Sequence, residues 1–337
     1  MNQPKVTDLD YINFLIATPA VFSCAEAGRV QPDRPRRAAH DALTRLLHRR
    51  EPDSTPLWNE AQQHVVLHAG LLIVDDTTLD KPYAQNIELV HRHWSGKHHR
   101  VVQGINLVTL LWSDGTDAIP CDYRLYDKPS DGVTKNEHFR AMLATAQQRG
   151  FHPRFVAFDS WYSSLANLKT VRGYGWHWLT RLKSNRQVNP DRRGNRALRD
   201  CDISPDGTVV HLKGYGLIQV FRIDTPDGAT EYWATDRLTL TPLERAEVAA
   251  QVWTIEGYHR GLKQFCGVER CQARSARAQR NHVGWAIRAF LRLEHHRICT
   301  GTSWFETKMG IIRSALQLYL SHSSPIVMGL AQSPSTA

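Results

Sequence analysis

Apolar residues recur along this chain with two different spacings, and the switches between them mark its elements. Residues 1–67 carry helical spacing in DYINFLIATPAVF and again in HDALTRLLHRR, with a Pro-, Asp- and Arg-rich link at 31–37 between them. A short continuous apolar run, Leu71 to Val74, then ends in Asp75 and Asp76, as a buried strand does when it delivers polar side chains to a sheet edge. Two longer runs rich in β-branched, aliphatic and aromatic residues, 100–112 and 118–126, are separated by SDGTD and predict a hairpin. A helix from about Glu137 to Arg149 leads to a second short apolar run, Phe155 to Phe158, closed by Asp159. A largely helical stretch follows, and alternation in GWHWLTRLKS at 175–184 predicts a fifth strand.

That order predicts an α/β fold with a ribonuclease-H-like core, in which the two strands closed by aspartates lie side by side. Residues 185–252 have another texture: Pro, Asp, Gly and Arg cluster at 190–207, alternating runs follow in TVVHLKGYGLIQVFRI and TEYWATD, and helical signals return at TPLERAEVAAQVW. The expected parts are a helical N-terminal domain (1–67), the first part of the core (68–184), a β-rich insertion (185–240), the rest of the core (241–300) and a C-terminal segment (301–337), with a poorly ordered tail from about Ser321. The stretch WTIEGYHRGLK at 253–263 predicts a helix with Glu256 and Lys263 two turns apart on nearly one face, and His259 and Arg260 between them.

Composition sharpens this. With 337 residues and 42% apolar content the chain can bury a substantial core, and a net charge of +9 favours a polyanionic partner. The charge is local: from Arg260 to Thr300, nine cations stand against Glu269 and Glu294, a local excess of seven out of the net nine. Such a stripe beside a carboxylate site predicts a phosphate backbone as ligand. Arg34, Arg36, Arg37, Arg45, Arg49 and Arg50 offer a second basic surface, and the stretch HRHWSGKHHR at 91–100 reads as exposed or phosphate-facing more than as a metal site. Six cysteines without a CxxC pair, and an opening without signal-peptide pattern, predict free thiols in the cytoplasm. No apolar run approaches the ~20 residues that span a bilayer.

Two aspartates on neighbouring strands and a glutamate from a helix across them make an oxygen-rich cage suited to Mg²⁺ or Mn²⁺. Two such ions ~3.5–4 Å apart activate an attacking oxygen and stabilise a leaving one, the chemistry of phosphodiester cleavage or strand transfer. Taken singly, each acid reads as readily as a cap or turn residue. Asp75 and Asp76, adjacent in a strand, face opposite ways, so one of them faces the ions.

In combination, VDDTTLDKP at 74–82, GKHHRVVQGINLVTLLW at 96–112, FDSWYS at 158–163 and WTIEGYHRGLK at 253–263 resemble the DDE transposases of bacterial insertion sequences, in the branch with a β-rich insertion before the last acid. The resemblance covers roughly residues 70–300. It implies Asp76, Asp159 and Glu256 as the catalytic, metal-binding acids, two Mg²⁺ ions (or Mn²⁺), double-stranded DNA at transposon ends and target as partner, a DNA-bound homodimer, and a bacterial, nucleoid-associated location. It also implies a phosphate contact by Lys263. The branch's Tyr and Arg, seven and four residues before the glutamate, are here Ala249 and Val252. Arg260 and His259, with Lys97, Arg270 and Arg274, are the candidates to make the DNA contacts. Trp161 and Trp253, and with them Tyr162 and Tyr258, are candidates to stack on an unpaired base.

Overall fold

The computed structural model describes residues 5–32, 38–95 and 100–321. Four helices open the chain: α1 (Asp8–Ala17), α2 (Cys24–Arg29), α3 (His40–Arg49) and α4 (Thr55–Ala61). Three strands and a hairpin partner follow as β1 (Leu71–Asp80), β2 (His91–Ser95), β3 (Arg100–Ser113) and β4 (Ala118–Tyr126). Next come α5 (Lys128–Asp131), α6 (Lys135–Gln148), β5 (Phe155–Phe158), α7 (Leu165–Gly173) and β6 (Trp178–Leu182). The insertion supplies β7 (Gln187–Asn189), β8 (Arg196–Ala197), β9 (Thr208–Leu212), β10 (Gly216–Asp224) and β11 (Thr230–Thr235). Four helices close it: α8 (Pro242–Val252), α9 (Thr254–Phe265), α10 (Ala276–Thr300) and α11 (Trp304–Ser321).

The core strands run in the order β4, β3, β1, β5, β6, with β1 antiparallel to β3 and parallel to β5, and β5 parallel to β6. This is the ribonuclease-H-like arrangement. The inserted strands do not form a separate layer. β11 pairs antiparallel with β6, and β10, β9, β7 and β8 continue outward, so core and insertion share one sheet. A β6 edge left open would expose unpaired backbone groups, and β11 covers it.

β1 differs from expectation in length. The apolar run stops at Val74, yet the strand continues through both aspartates to Asp80. The cause is β3, which offers a partner to every residue from Leu71 (opposite Ser113) to Asp80 (opposite Gly104). Gly104 is required there, because a Cβ would collide with the Leu79 carbonyl. Both aspartates therefore stand in mid-strand, paired with β3 just past the end of the pairing with β5.

Helices cover both faces. α6 starts at a capping box, with the Thr134 hydroxyl and the Glu137 carboxylate each satisfying the other's backbone N–H. Phe139 of α6 meets Phe158 of β5 edge-on, with ring centroids 5.1 Å apart. On the other face α10 is buried along most of its length, and α1, α3 and α4 pack against it. The N-terminal helices thus share one core with the last core helix, from Tyr11 and Leu43 through to Leu293.

This packing changes the role of the basic stripe. Arg288 is buried and forks between Asp8 and Glu60, and Arg292 joins it on Glu60. Arg277 pairs with Glu51, Arg280 with Asp131, and Arg297 with Asp117 and Glu294. The excess positive charge read from 260–300 is largely spent on acids elsewhere in the fold, which a local charge count does not see. Among the described residues, Arg260, Arg270 and Arg274 alone of those nine cations make no ion pair. Among the described residues all six cysteines are unpaired and no helix is long and apolar enough to cross a membrane. Arg34, Arg36, Arg37, Lys97 and the tail after Ser321 lie outside the described residues.

Candidate active site

A cleft of about 1670 Å³ opens where β1, the end of β5 and the start of α9 meet, and Asp75, Asp76, Asp159 and Glu256 all line it. Strand geometry assigns these acids to sides. Asp75 stands opposite Thr109, which stands opposite Tyr123. Tyr123 points at α10: its hydroxyl fills the space that a side chain on Gly284 would need. Residues opposite one another across strands share a face, so Asp75 looks to the side covered by α10. α9 lies on that side too, since its buried Tyr258 meets Phe290 of α10 edge-on at 4.9 Å. Val74 is level with Phe158, the last paired residues of the two strands, and Asp159 follows directly.

Asp76 looks the other way, toward α6. Its Oδ1 accepts from the Tyr162 hydroxyl at 2.8 Å, and its Oδ2 from Asn106 Nδ2 at 2.7 Å and Lys135 Nζ at 2.8 Å. Tyr162 is itself stacked on Phe139, with centroids 5.5 Å apart. The two adjacent acids accordingly differ in electrostatics. Burial pushes the Asp75 carboxyl well above the ordinary range, and Asp76, Asp159 and Glu256 add to it. Burial acts on Asp76 in the same direction, but the charge and hydrogen bond of Lys135, with Asn106 and Tyr162, outweigh it and hold Asp76 below the ordinary value. Asp159 is raised, by burial and then by Asp76.

The donors are all carboxylate oxygens crowded at one end of a buried strand pair, which is the donor chemistry a hard divalent cation takes. As placed, no three His, Cys, Asp or Glu side chains among the described residues converge closely enough to hold one ion. Glu256 is exposed on the first turn of α9 and makes no hydrogen bond or ion pair to a described residue, so its side chain is free to rotate inward.

The remaining expected residues sort by environment. Lys263 donates to the Thr78 carbonyl at 2.7 Å and pairs with Glu269 at 3.0 Å, so it ties α9 to β1. His259 is 5% exposed and held neutral, its pKa pushed down to about 3 by burial and then by Lys263. Arg260 and Arg270 are exposed and line the cleft, and Arg274 is exposed just beyond. Trp161 and Trp253 are 57% and 69% exposed at its mouth, whereas Tyr162 and Tyr258 are fully buried and present no ring face to a base. Lys135, Asn106 and Tyr162 were not singled out by their pattern as partners of an acid. Lys135 does leave a trace in sequence: a cation in the first turn of a helix opposes the helix dipole and implies a nearby anion.

The Transposase DDE domain family matches residues 68–291, and the chain belongs to that family. Among curated proteins, none matches. Among solved structures, the fold resembles the piggyBac transposase synaptic complex with hairpin DNA, determined by cryo-EM, at a TM-score of 0.51 and 11% identity over 100% of this chain and 78% of that one. The Mos1 strand transfer complex aligns with 53% of this chain and 59% of its own at 11% identity, with a TM-score of 0.20 that carries no argument.

Proposed function

We propose that this transposase cuts DNA at the ends of a mobile element and joins the freed 3′-hydroxyl to target DNA, using divalent ions held by acids of the cleft. The observation that carries the reading is the gathering of acids from β1, the end of β5 and α9 on one cleft of a transposase fold. Asp159 and Glu256 act as the resemblance implies. For the β1 ligand the resemblance implies Asp76, which lines the same cleft and whose charge raises Asp159, and Lys135 occupies its carboxylate in the metal-free protein. Magnesium or manganese bound there supplies a polarised phosphorus and an activated attacking oxygen.

The chain's own groups do the rest. Arg260 and Arg270, which line the cleft without an ion pair to a described residue, and Arg274 beyond them in the chain take phosphates of a duplex, and Trp161 and Trp253 offer faces to an unpaired base. A DNA-bound dimer holding both element ends accords with the family. Incubation with end-containing DNA and Mg²⁺ tests this: nicks bearing 3′-hydroxyls and joined products are expected. Nicks without joining would make the protein a nuclease, and binding without cutting would make it a DNA-binding regulator derived from a transposase.

A further inference from the structure

We infer that Lys135 is a resident cation in the ion's place: it holds Asp76 in the metal-free protein and passes to a DNA phosphate when an ion takes that carboxylate. The exchange rests on the metal-dependent reading above, with Asp76 as a ligand. It makes loading of the ion and gripping of the strand help each other.

The placement begins with a conflict. Lys135 is the first residue of α6, where the helix end already carries partial positive charge, so a cation there is disfavoured unless an anion offsets it. The capping box between Thr134 and Glu137 fixes that end, and the lysine side chain runs inward from it to Asp76 Oδ2 at 2.8 Å. The two side chains are only 16% and 19% exposed. Burial alone would raise the Asp76 carboxyl, and the charge and hydrogen bond of Lys135 outweigh it.

Three donors meet Asp76, and they are not alike. Tyr162 is fully buried and stacked on Phe139, and Asn106 is buried in β3, so both stay where they are. Both are neutral, and they leave the charge of the carboxylate for a cation to offset. Lys135 is the one cation of the three, on a flexible stem, and the one that lines the cleft. An ammonium and a divalent ion on one carboxylate repel at short range, so Lys135 leaves when the ion is bound.

The released ammonium has a path outward. The Tyr126 and Trp161 rings lie 5.6 and 5.7 Å from it as cation–π partners, and Trp161 stands 57% exposed at the mouth of the cleft. Among the described residues no other acid pairs with Lys135, so the phosphate of a bound strand is the anion it meets. Without DNA an ion has to break the Lys135 pair, which holds its affinity down. With DNA the phosphate takes the lysine, and by linkage the ion raises DNA affinity by the same factor.

Mn²⁺ binding to the full-length protein without DNA, read as free Mn²⁺ by electron paramagnetic resonance, tests the first half. Lys135→Met is expected to bind Mn²⁺ about fivefold or more tighter than wild type, the low end of measured site-to-site coupling, and Lys135→Arg to stay near wild type. A folding defect does not produce a gain in affinity, and thermal unfolding is recorded for each variant. Fluorescence anisotropy of a labelled DNA duplex, with and without Mn²⁺, tests the second half. Mn²⁺ is expected to improve the DNA affinity of wild type about fivefold more than that of Lys135→Met. Equal Mn²⁺ affinity in wild type and Lys135→Met would overturn the exchange, and so would an equal effect of Mn²⁺ on their DNA affinities. Absence of Mn²⁺ binding from all three proteins, with DNA or without, would remove the metal-dependent function itself, a result distinct from the other two.

Discussion

Asp75 and Asp76 are neighbours in β1 but look to opposite sides of its sheet, the first toward the helix that carries Glu256 and the second toward Lys135. Their mid-strand position makes this division rigid: ladder bonds to β3 run past both, so neither can exchange places with the other by a local backbone turn. The consequences for activity follow directly. Asp76→Asn, Asp159→Asn and Glu256→Gln should each abolish cutting of end DNA while leaving DNA binding intact. A gel assay of nicked product decides this, and full activity in Asp76→Asn would defeat the assignment.

The crowding of acids makes the metal-free protein sensitive to pH. Asp75 has a raised pKa in the fold, so its contribution to stability is fully present below the unfolded carboxylate value near 4 and is lost as pH rises through the folded value. Asp75→Asn should therefore unfold at a higher temperature than wild type at pH 7 in EDTA, with the gap closing toward pH 4. An unchanged melting curve at pH 7 would contradict the buried, like-charged environment.

Two buried histidines act in the acid range. His259 and His282 are held at about 3 and about 4, each chiefly by burial, well under the unfolded value. Between those values and about 6.5 the unfolded chain binds the extra protons, so stability falls on acidification by about 1.4 kcal/mol per pH unit for each histidine. Urea unfolding at pH 7 and pH 5.5 should show this loss, and His282→Gln should reduce the slope if it folds.

Lys263 and the two cleft arginines should separate cleanly. Lys263→Ala removes the tie to Thr78 and Glu269 and should lower stability by about 1 kcal/mol. Arg260→Ala and Arg270→Ala should leave stability unchanged and each reduce the log–log salt slope of DNA binding by about 0.9. A reduced slope in Lys263→Ala at unchanged stability would return that lysine to the phosphate backbone.

Arg288 tests the fate of the basic stripe. It is buried between Asp8 and Glu60, so Arg288→Ala strands Asp8 and leaves Glu60 to Arg292 alone, and should cost about 3 kcal/mol. Its DNA salt slope should match wild type.

Much of this architecture was legible before any coordinates. The short apolar runs at 71–74 and 155–158, the SDGTD hairpin and the helical signals at 137–149 and in TPLERAEVAAQVW are local signals, and each became the element it implied. Local signals suffice there because alternation, turn chemistry and caps are decided by residues a few positions apart. The length of β1 was not legible, since it is dictated by β3 some thirty residues later. Neither was the fate of Arg288, whose partners Asp8 and Glu60 lie more than two hundred residues away in the chain.

The sequence by itself determined the succession of strands and helices, the acids that close two of those strands and the helix bearing Glu256, because these follow from spacing and residue type. Only the tertiary structure decided which face each β1 acid looks to, which of the nine cations stay without an ion pair among the described residues, and that Lys135 pairs with Asp76. Those outcomes depend on which faces meet, and charge and hydrogen bonding act over a few ångströms of space irrespective of distance along the chain.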